Sequence, residues 1–363
     1  MSEKNHIPEL DGLRGIAALM VVFHHIAQQF PGFAQNTLPE KLLHAWLRFT
    51  TPGWMGVDVF FVLSGFLITG ILLDSKHQPH FYRNFYMKRI LRIFPLYYLI
   101  LVVMLFFFAK PWPFFTLCVF YMANFCSLFG IPLTFGPLWS LSVEEHFYFL
   151  WPWAVKFVRE RALLAASLLI CFVEPPFRYY AFKHGFFDPY FSWFRFDGLA
   201  LGAAIAIVSR SNLARHLKSM AYVLCFAAVF LFCVSLPFGG NTRLKPAGTA
   251  VLYSCASLFT GGIVCFVRAS PAGLLFAPLR GKFLKFTGDI SYCLYLVHLF
   301  IILGFYSVAA TRFFAGPSEA LWRTPVLFYA VHVMTVLVLC YGIGALSKKC
   351  FEGPIRSYRV RFQ

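Results

Sequence analysis

Residues 10–25 read LDGLRGIAALMVVFHH, an apolar stretch that begins with Asp11 and Arg14 and ends on two histidines. Its length and composition predict a membrane-spanning helix. Arg14 and His25 are eleven positions apart, which places both side chains on one helix face, roughly 16 Å from each other. Ionisable groups inside a bilayer are costly, and their default interpretation is functional. The alternative is that Arg14 reaches the membrane surface and the histidines only hydrogen-bond to neighbouring helices.

The composition of the 363 residues is that of a polytopic membrane protein. Hydrophobic residues make up 59% of the chain, charged residues 13%, and the mean hydropathy is +0.68. The net charge of +17 comes from short clusters between apolar runs. Membrane orientation and anionic lipid explain these clusters, and nucleic acid is not an expected partner. The ten cysteines form no C-x-x-C pair, so the sequence predicts no metal site and no disulfide framework.

Ten apolar runs are long enough to cross the bilayer, and an eleventh, 112–129, is ambiguous. Treating the eleventh run as re-entrant or interfacial keeps the later basic clusters inside. The prediction is an all-α membrane bundle of about ten transmembrane helices with both termini cytoplasmic. It comprises a transmembrane domain, 1–346, and a short basic cytoplasmic tail, 347–363. The ten runs cover residues 13–30, 53–74, 93–109, 138–155, 162–180, 193–208, 219–237, 247–267, 286–309 and 324–346.

Two stretches add polar groups near the second and third runs. Residues 53–74 carry Asp58 near the outer end of an apolar span. One interpretation is that Asp58 contacts substrate, and the alternative is that it only bonds to head groups or backbone amides. Residues 81–95, FYRNFYMKRILRIFP, put Arg89 and Arg92 on one helix face. Paired guanidinium groups suit phosphate. A topogenic basic cluster beside anionic lipid explains the charge alone more simply.

Residues 136–153, GPLWSLSVEEHFYFLWPW, place Glu144 and Glu145 among aromatic side chains. Neighbouring helix positions differ by about 100°, so one glutamate is expected to face a polar cavity while the other needs a different partner. The alternative for Glu145 is a capping box with Ser142 at the start of the helix.

Three more polar groups lie in later spans. Arg195 and Asp197 are close enough in sequence to neutralise each other. His298 is expected to form a hydrogen bond between helices, which is commoner for a membrane histidine than catalysis.

These stretches, in this order and at these spacings, resemble the family 3 membrane acyltransferases. The resemblance covers nearly the whole chain. It implies transfer of an acyl group, often acetyl from acetyl-CoA, to hydroxyls of bacterial surface glycans. Some relatives append an extracytoplasmic hydrolase-like domain, which is not expected here. The matching segments are LDGLRGIAALMVVFHH, GVDVFFVLSGFLITGIL, KRILRIFPLYYL, PLWSLSVEEHFYFLWP, RFDGLALG and ISYCLYLVHLF.

The family's motif residues suggest a mechanism with acetyl-CoA as co-substrate and no metal. Arginines would hold the phosphates, and a histidine would act as general base because its ordinary pKa lies near neutrality. A glutamate would orient that imidazole or bind acceptor hydroxyls. A covalent acyl-histidine intermediate is an alternative that no separate sequence motif would reveal. The predicted donor-binding residues are Arg14, Arg89 and Arg92, the catalytic residues His25, Glu145 and Glu144, and the substrate-binding residues Asp58 and Ser142.

The expected acceptor is a glycan or a lipid-linked oligosaccharide, and the expected location is the bacterial cytoplasmic (inner) membrane. The main alternative is a transporter or flippase for a lipid-linked sugar or anion, although the sequence lacks the expected inverted repeat. A third interpretation is an inactive membrane scaffold. The retained ionisable residues speak against it.

Overall fold

The computed structural model describes residues 7–29, 39–107, 112–270, 273–312 and 325–358, and no β-strand occurs within these ranges. The described chain is predominantly helical, which confirms the all-α prediction. A π-helix, Ser347–Glu352, follows the last long helix. The α-helices are α1 (Pro8–Gln29), α2 (Glu40–Thr50), α3 (Gly56–Ser75), α4 (Phe81–Phe107), α5 (Trp112–Val119), α6 (Leu138–Phe157), α7 (Glu160–Lys183), α8 (Phe196–Val208), α9 (Leu217–Ser235), α10 (Pro246–Ala269), α11 (Lys282–Arg312), α12 (Pro325–Leu346) and α13 (Gly353–Ser357).

Eight helical segments among the described residues are long and apolar enough to cross a membrane. These eight segments, together with α6 and the shorter α8, coincide with the ten predicted apolar runs. The ends of three of those runs, at residues 30, 108–109 and 324, lie outside the described residues. The chain is therefore a multi-pass integral membrane protein. The number of crossings and the side of each terminus stay predictions. Parts of the predicted domain and tail, 1–6 and 359–363, also lie outside the described residues.

The ambiguous run 112–129 folds as two short helices. The first is α5, of eight residues, and the second is a 3-10 helix, Ala123–Phe129; neither is long enough to cross. The hydroxyls of Tyr97 and Tyr98 on α4 donate to the carbonyls of Cys118 and Val119, at 2.8 and 3.0 Å. These bonds satisfy carbonyls that the end of a helix leaves without partners.

α3 is the central helix of the bundle and packs against α1, α6, α8 and α10. It is apolar on nearly every face, as a helix buried on all sides must be. Two glycines bring α3 and α8 into direct backbone contact: a Cβ on Gly65 would overlap the carbonyl of Leu199, and one on Gly202 would overlap that of Val62. Small residues at such crossings allow the close approach that drives helix packing in membranes.

Buried ion pairs link α7 to α8, and the residue before α8 to α3. Arg178 on α7 lies 3.2 Å from Glu174 and 2.8 Å from Asp197 on α8. Arg195 lies 2.8 Å from Asp58 on α3. The predicted pairing of Arg195 with Asp197 is therefore wrong: Arg195 precedes α8 with a non-helical φ of -135°, Asp197 lies in the first turn, and each side chain finds its partner on another helix.

Candidate active site

A cavity lies between α1, α3, α4, α6 and α11, near the N-terminal half of α1; we call it the inner cavity. It encloses about 660 Å³ of empty space, its open mouth included. The wall combines three arginines, two glutamates and several hydroxyl groups with apolar side chains. The charged residues in the wall are Arg14, Arg89, Arg92, Glu144 and Glu145.

The three arginines predicted to hold the acyl donor come together in the inner cavity. Arg14 is on α1, while Arg89 and Arg92 are one helical turn apart on α4. The guanidinium of Arg89 lies over the ring of Tyr148, 4.4 Å from its centre. Three cations from two helices in one cavity form an environment suited to a polyanion.

Both glutamates face the inner cavity, whereas the helix spacing predicted that only one would. Glu144 accepts a 2.6 Å hydrogen bond from the hydroxyl of Tyr148, one turn later on α6. Glu145 lies in the same wall. The capping-box alternative is wrong, because α6 begins at Leu138 and Ser142 is already inside the helix.

A second cavity, the outer cavity, lies at the other end of α1 and holds about 750 Å³ of empty space, its open mouth included. Its wall is formed by the end of α1, by residues around the starts of α3, α6 and α8, and by α10 and the loop before it. Both histidines of α1 line it, His24 as well as His25. Nδ1 of His24 lies 3.1 Å from the carbonyl of Thr50.

His25 is held by a backbone carbonyl and a second histidine. Its Nδ1 lies 2.9 Å from the carbonyl of Val21 and 3.3 Å from Nε2 of His298. A carbonyl only accepts, so Nδ1 of His25 carries a proton and Nε2 is left as a base. His298 is fixed in the same tautomer because its Nδ1 lies 2.8 Å from the carbonyl of Tyr295. The contacts of this histidine pair thus leave Nε2 of His25, which lines the outer cavity, without a proton.

Val57 and Tyr295 line both cavities. The hydroxyl of Tyr295 lies 2.6 Å from Oγ of Ser140 on α6. Arg14 and His25, which the helix spacing placed on one face, therefore line two adjacent cavities that meet at Tyr295.

The prediction that a glutamate orients His25 is wrong, while the alternative, that Glu144 or Glu145 binds acceptor hydroxyls, stays a prediction. Val21 and His298 occupy Nδ1 of His25, and both glutamates line the inner cavity instead. The physical reason is the close packing of α11 along α1, which brings His298 against His25.

The two predicted substrate-binding residues line neither cavity. Asp58 is 1% exposed and paired with Arg195 behind the outer cavity wall. Ser142 is fully buried and donates to the carbonyl of Leu138 at 3.0 Å. Their contact with substrate stays a prediction. No group of three His, Cys, Asp or Glu side chains in the described ranges is arranged to hold a metal ion.

The comparisons with known proteins agree with the sequence motifs. A family model described as an acyltransferase domain matches residues 7–345. The chain belongs to this acyltransferase family. No solved structure matches it.

Curated relatives of this acyltransferase include three proteins with informative names. The peptidoglycan O-acetyltransferase OatA of Listeria monocytogenes is 28% identical over 97% of the chain, and the putative peptidoglycan O-acetyltransferase YrhL of Bacillus subtilis is 28% identical over 98%. The chain spans 56% of the length of each. The putative acetyltransferase ORF330 of Acidianus two-tailed virus is 27% identical, covering 88% of this chain and 94% of its own length.

Sequence reasoning anticipated one feature of this acyltransferase site in part and missed another. The expected hydrogen bond of His298 between helices is confirmed, since its Nε2 lies 3.3 Å from Nδ1 of His25, but the identity of the partner depends on which helices are neighbours. Tyr295 carried no distinguishing signal among 17 tyrosines.

Proposed function

We propose that the protein is a membrane O-acyltransferase that moves an acyl group, in the first instance acetyl, from acyl-CoA to a hydroxyl of a glycan. Family membership and the peptidoglycan O-acetyltransferase names of two relatives support the reaction class. One structural observation carries the proposal: a polyanion-suited cavity and a histidine-bearing cavity lie at opposite ends of α1 and meet at Tyr295.

The inner cavity is the donor site of this proposal. The inside preference of basic clusters puts its mouth toward the cytoplasm, where acyl-CoA is made. Arg14, Arg89 and Arg92 bind the phosphates, and the pantetheine arm carries the thioester toward Tyr295. The distance from Arg14 to His25 along the helix, roughly 16 Å, is of the order of that arm's reach. Glu144 and Glu145 lie beside this path, where carboxylate oxygens accept hydrogen bonds from the amides of the arm.

The outer cavity is the acceptor site. Nε2 of His25 takes the proton from the acceptor hydroxyl while the hydroxyl oxygen attacks the thioester carbonyl carbon. A carbon–oxygen bond forms, the carbon–sulfur bond breaks, and the leaving thiolate receives the proton from the imidazolium. Nδ1 of His25 keeps its proton throughout, because Val21 and His298 hold it. In this proposal the protein lies in the cytoplasmic membrane, and a lipid-linked oligosaccharide is one form of acceptor.

Removing either cavity arginine is expected to weaken donor binding. In purified protein, Arg89→Ala or Arg92→Ala should raise KM for acetyl-CoA about ten- to a hundredfold, because a charge-assisted contact to phosphate is lost. The effect on kcat should be smaller. Lys88→Gln is the matched control, because Lys88 belongs to the same basic cluster but does not line the cavity. An equal rise in KM for all three variants would contradict a specific role of the two arginines in donor binding and would favour a role in membrane orientation alone.

His298 is a positioning residue, and its replacement should be rescued by an acceptor of similar reach. His298→Leu is expected to lose part of the roughly 10²–10⁴-fold that a well-placed base contributes. His298→Gln should recover most of that loss, since its Oε1 can accept from Nδ1 of His25. The measurement is kcat at saturating acetyl-CoA. Equal activity of the two variants would show that the hydrogen bond does not act in catalysis.

The test of the reaction class uses membranes containing the protein and acetyl-CoA radiolabelled in the acetyl group. We expect thioester cleavage that depends on the protein, with label appearing in surface glycan. A transporter or flippase would leave the thioester intact, and that result would reject the proposed function.

A further inference from the structure

Arg243 is the only arginine of the loop between α9 and α10 and faces the outer cavity. The guanidinium lies over the ring of Trp54, 4.4 Å from its centre. Trp54 in turn meets Tyr253 edge to face, at 5.3 Å between ring centres. A half-exposed cation is thus held over an aromatic ring, in the same cavity wall as the end of α1 that carries His25.

No carboxylate of the described residues neutralises the charge of Arg243. No carboxylate lies within 4 Å of it among the described residues, and none belongs to the wall of the outer cavity. The other arginine of that wall, Arg195, is paired with Asp58. Asp188, on a neighbouring loop, accepts from Ser127 and from the amide of Tyr190. The outer cavity therefore has an excess of positive charge, and in the predicted topology this charge is on the outer side of the membrane, where basic residues are generally depleted.

The backbone of the loop fixes the position of Arg243. Its carbonyl accepts a 2.7 Å hydrogen bond from Oγ1 of Thr249, which is fully buried in the first turn of α10. Gly239, with φ at +81°, makes the turn that starts the loop, and the amide of Gly240 donates to the carbonyl of Ser235 at 2.8 Å. A guanidinium placed in advance loses little freedom on binding an anion.

The aromatic side chains of the same wall suit a sugar ring. Trp139 and Tyr190 lie 5.1 Å apart between ring centres and line the same cavity as the Trp54–Tyr253 pair. Ligand sites combine such apolar surfaces with a few fixed polar groups that set orientation. We propose that the outer cavity takes an acceptor sugar bearing a carboxylate, and that Arg243 binds this carboxylate bidentately while a ring hydroxyl faces His25. The inference rests on the proposed function, because it assigns the outer cavity to the acceptor.

The test compares two forms of one acidic oligosaccharide, the free carboxylate and the same compound with the carboxylate amidated. Wild-type protein should favour the charged form about ten- to a hundredfold in kcat/KM, the size expected for one charge-assisted contact. In Arg243→Gln this ratio should fall toward one. Lys245→Gln removes the same charge from the same loop but lies outside the cavity wall, and it should keep the ratio. A third arm offers a neutral sugar on a lipid diphosphate; Arg243-dependent preference for this compound over the carboxylate would overturn the assignment.

Binding of the acidic oligosaccharide to detergent-solubilised protein, measured by calorimetry without acetyl-CoA, separates the two claims. Arg243-dependent binding without any acetyl transfer would support the site and reject the proposed function. Acetyl transfer with no dependence on the carboxylate, or with a preference that survives Arg243→Gln, would support the function and reject this inference. Absence of both binding and transfer would reject both.

Discussion

Replacing His25 with asparagine is expected to lower kcat for acyl transfer by about 10²–10⁴-fold, the usual contribution of a positioned general base. The asparagine amide nitrogen can take the place of Nδ1 and still donate to the carbonyl of Val21, which His25 contacts at 2.9 Å. The nitrogen that corresponds to Nε2 is lost. Because the variant keeps the hydrogen bond to Val21 and loses the base, kcat should fall while KM for acetyl-CoA changes little.

The control for this variant is a histidine outside both cavities. His184 lies against Tyr180, with 4.1 Å between ring centres and 42° between ring planes, directly after α7. His184→Asn should leave kcat unchanged, and both variants should elute as the same monodisperse species in detergent. If His25→Asn retained kcat near that of the wild type, the base would have to be another residue.

Replacing Arg178 with alanine is expected to be the most destabilising single substitution among the buried ion pairs. Arg178 is fully buried and bonds to Glu174 and Asp197, so its removal leaves two carboxylates in a buried site with no cation between them. Breaking a buried pair from one side typically costs about 3–5 kcal/mol. The guanidinium also donates to the carbonyl of Phe194 at 2.9 Å and to Oγ of Ser254, so α7, α8 and α10 lose a common anchor.

The matched control is the exposed pair of Arg210 with Asp74, where 31% of the arginine side chain and 50% of the aspartate side chain are exposed. Arg210→Ala should change the free energy of unfolding by less than about 1 kcal/mol, since surface pairs contribute little. The measurement is reversible unfolding in detergent, with Arg178→Ala and Arg210→Ala compared under the same conditions. Similar costs for the two variants would show that the Arg178 network does not stabilise the bundle as described.

The helices could be predicted from sequence because apolar length is a local property. The ten runs coincide with helices, and the short elements at 112–129 fit the choice of a segment that does not cross. The convergence of Arg14, Arg89 and Arg92 in one cavity could be inferred too, but from the family's motifs rather than from the spacing within any one helix.

The pairings between helices could not be predicted. Arg195 binds Asp58, 137 positions away, and His25 meets His298, 273 positions away, so no periodicity within one segment reports either contact. The same limit explains the expectation that a glutamate would orient His25. Glu144 and Glu145 were the carboxylates that stood out in the sequence, but α11 packs along α1 and places His298 beside His25 instead.

Transfer across the membrane is the central claim, and sealed vesicles of known orientation test it most directly. Purified protein is reconstituted, radiolabelled acetyl-CoA is placed on the side of the inner cavity, and the glycan acceptor is trapped on the other side. We expect label on the trapped acceptor in amounts that depend on His25, and none when donor and acceptor share either compartment. Label on an acceptor in the same compartment as the donor would contradict the proposal that donor and acceptor reach Tyr295 from opposite sides of the membrane.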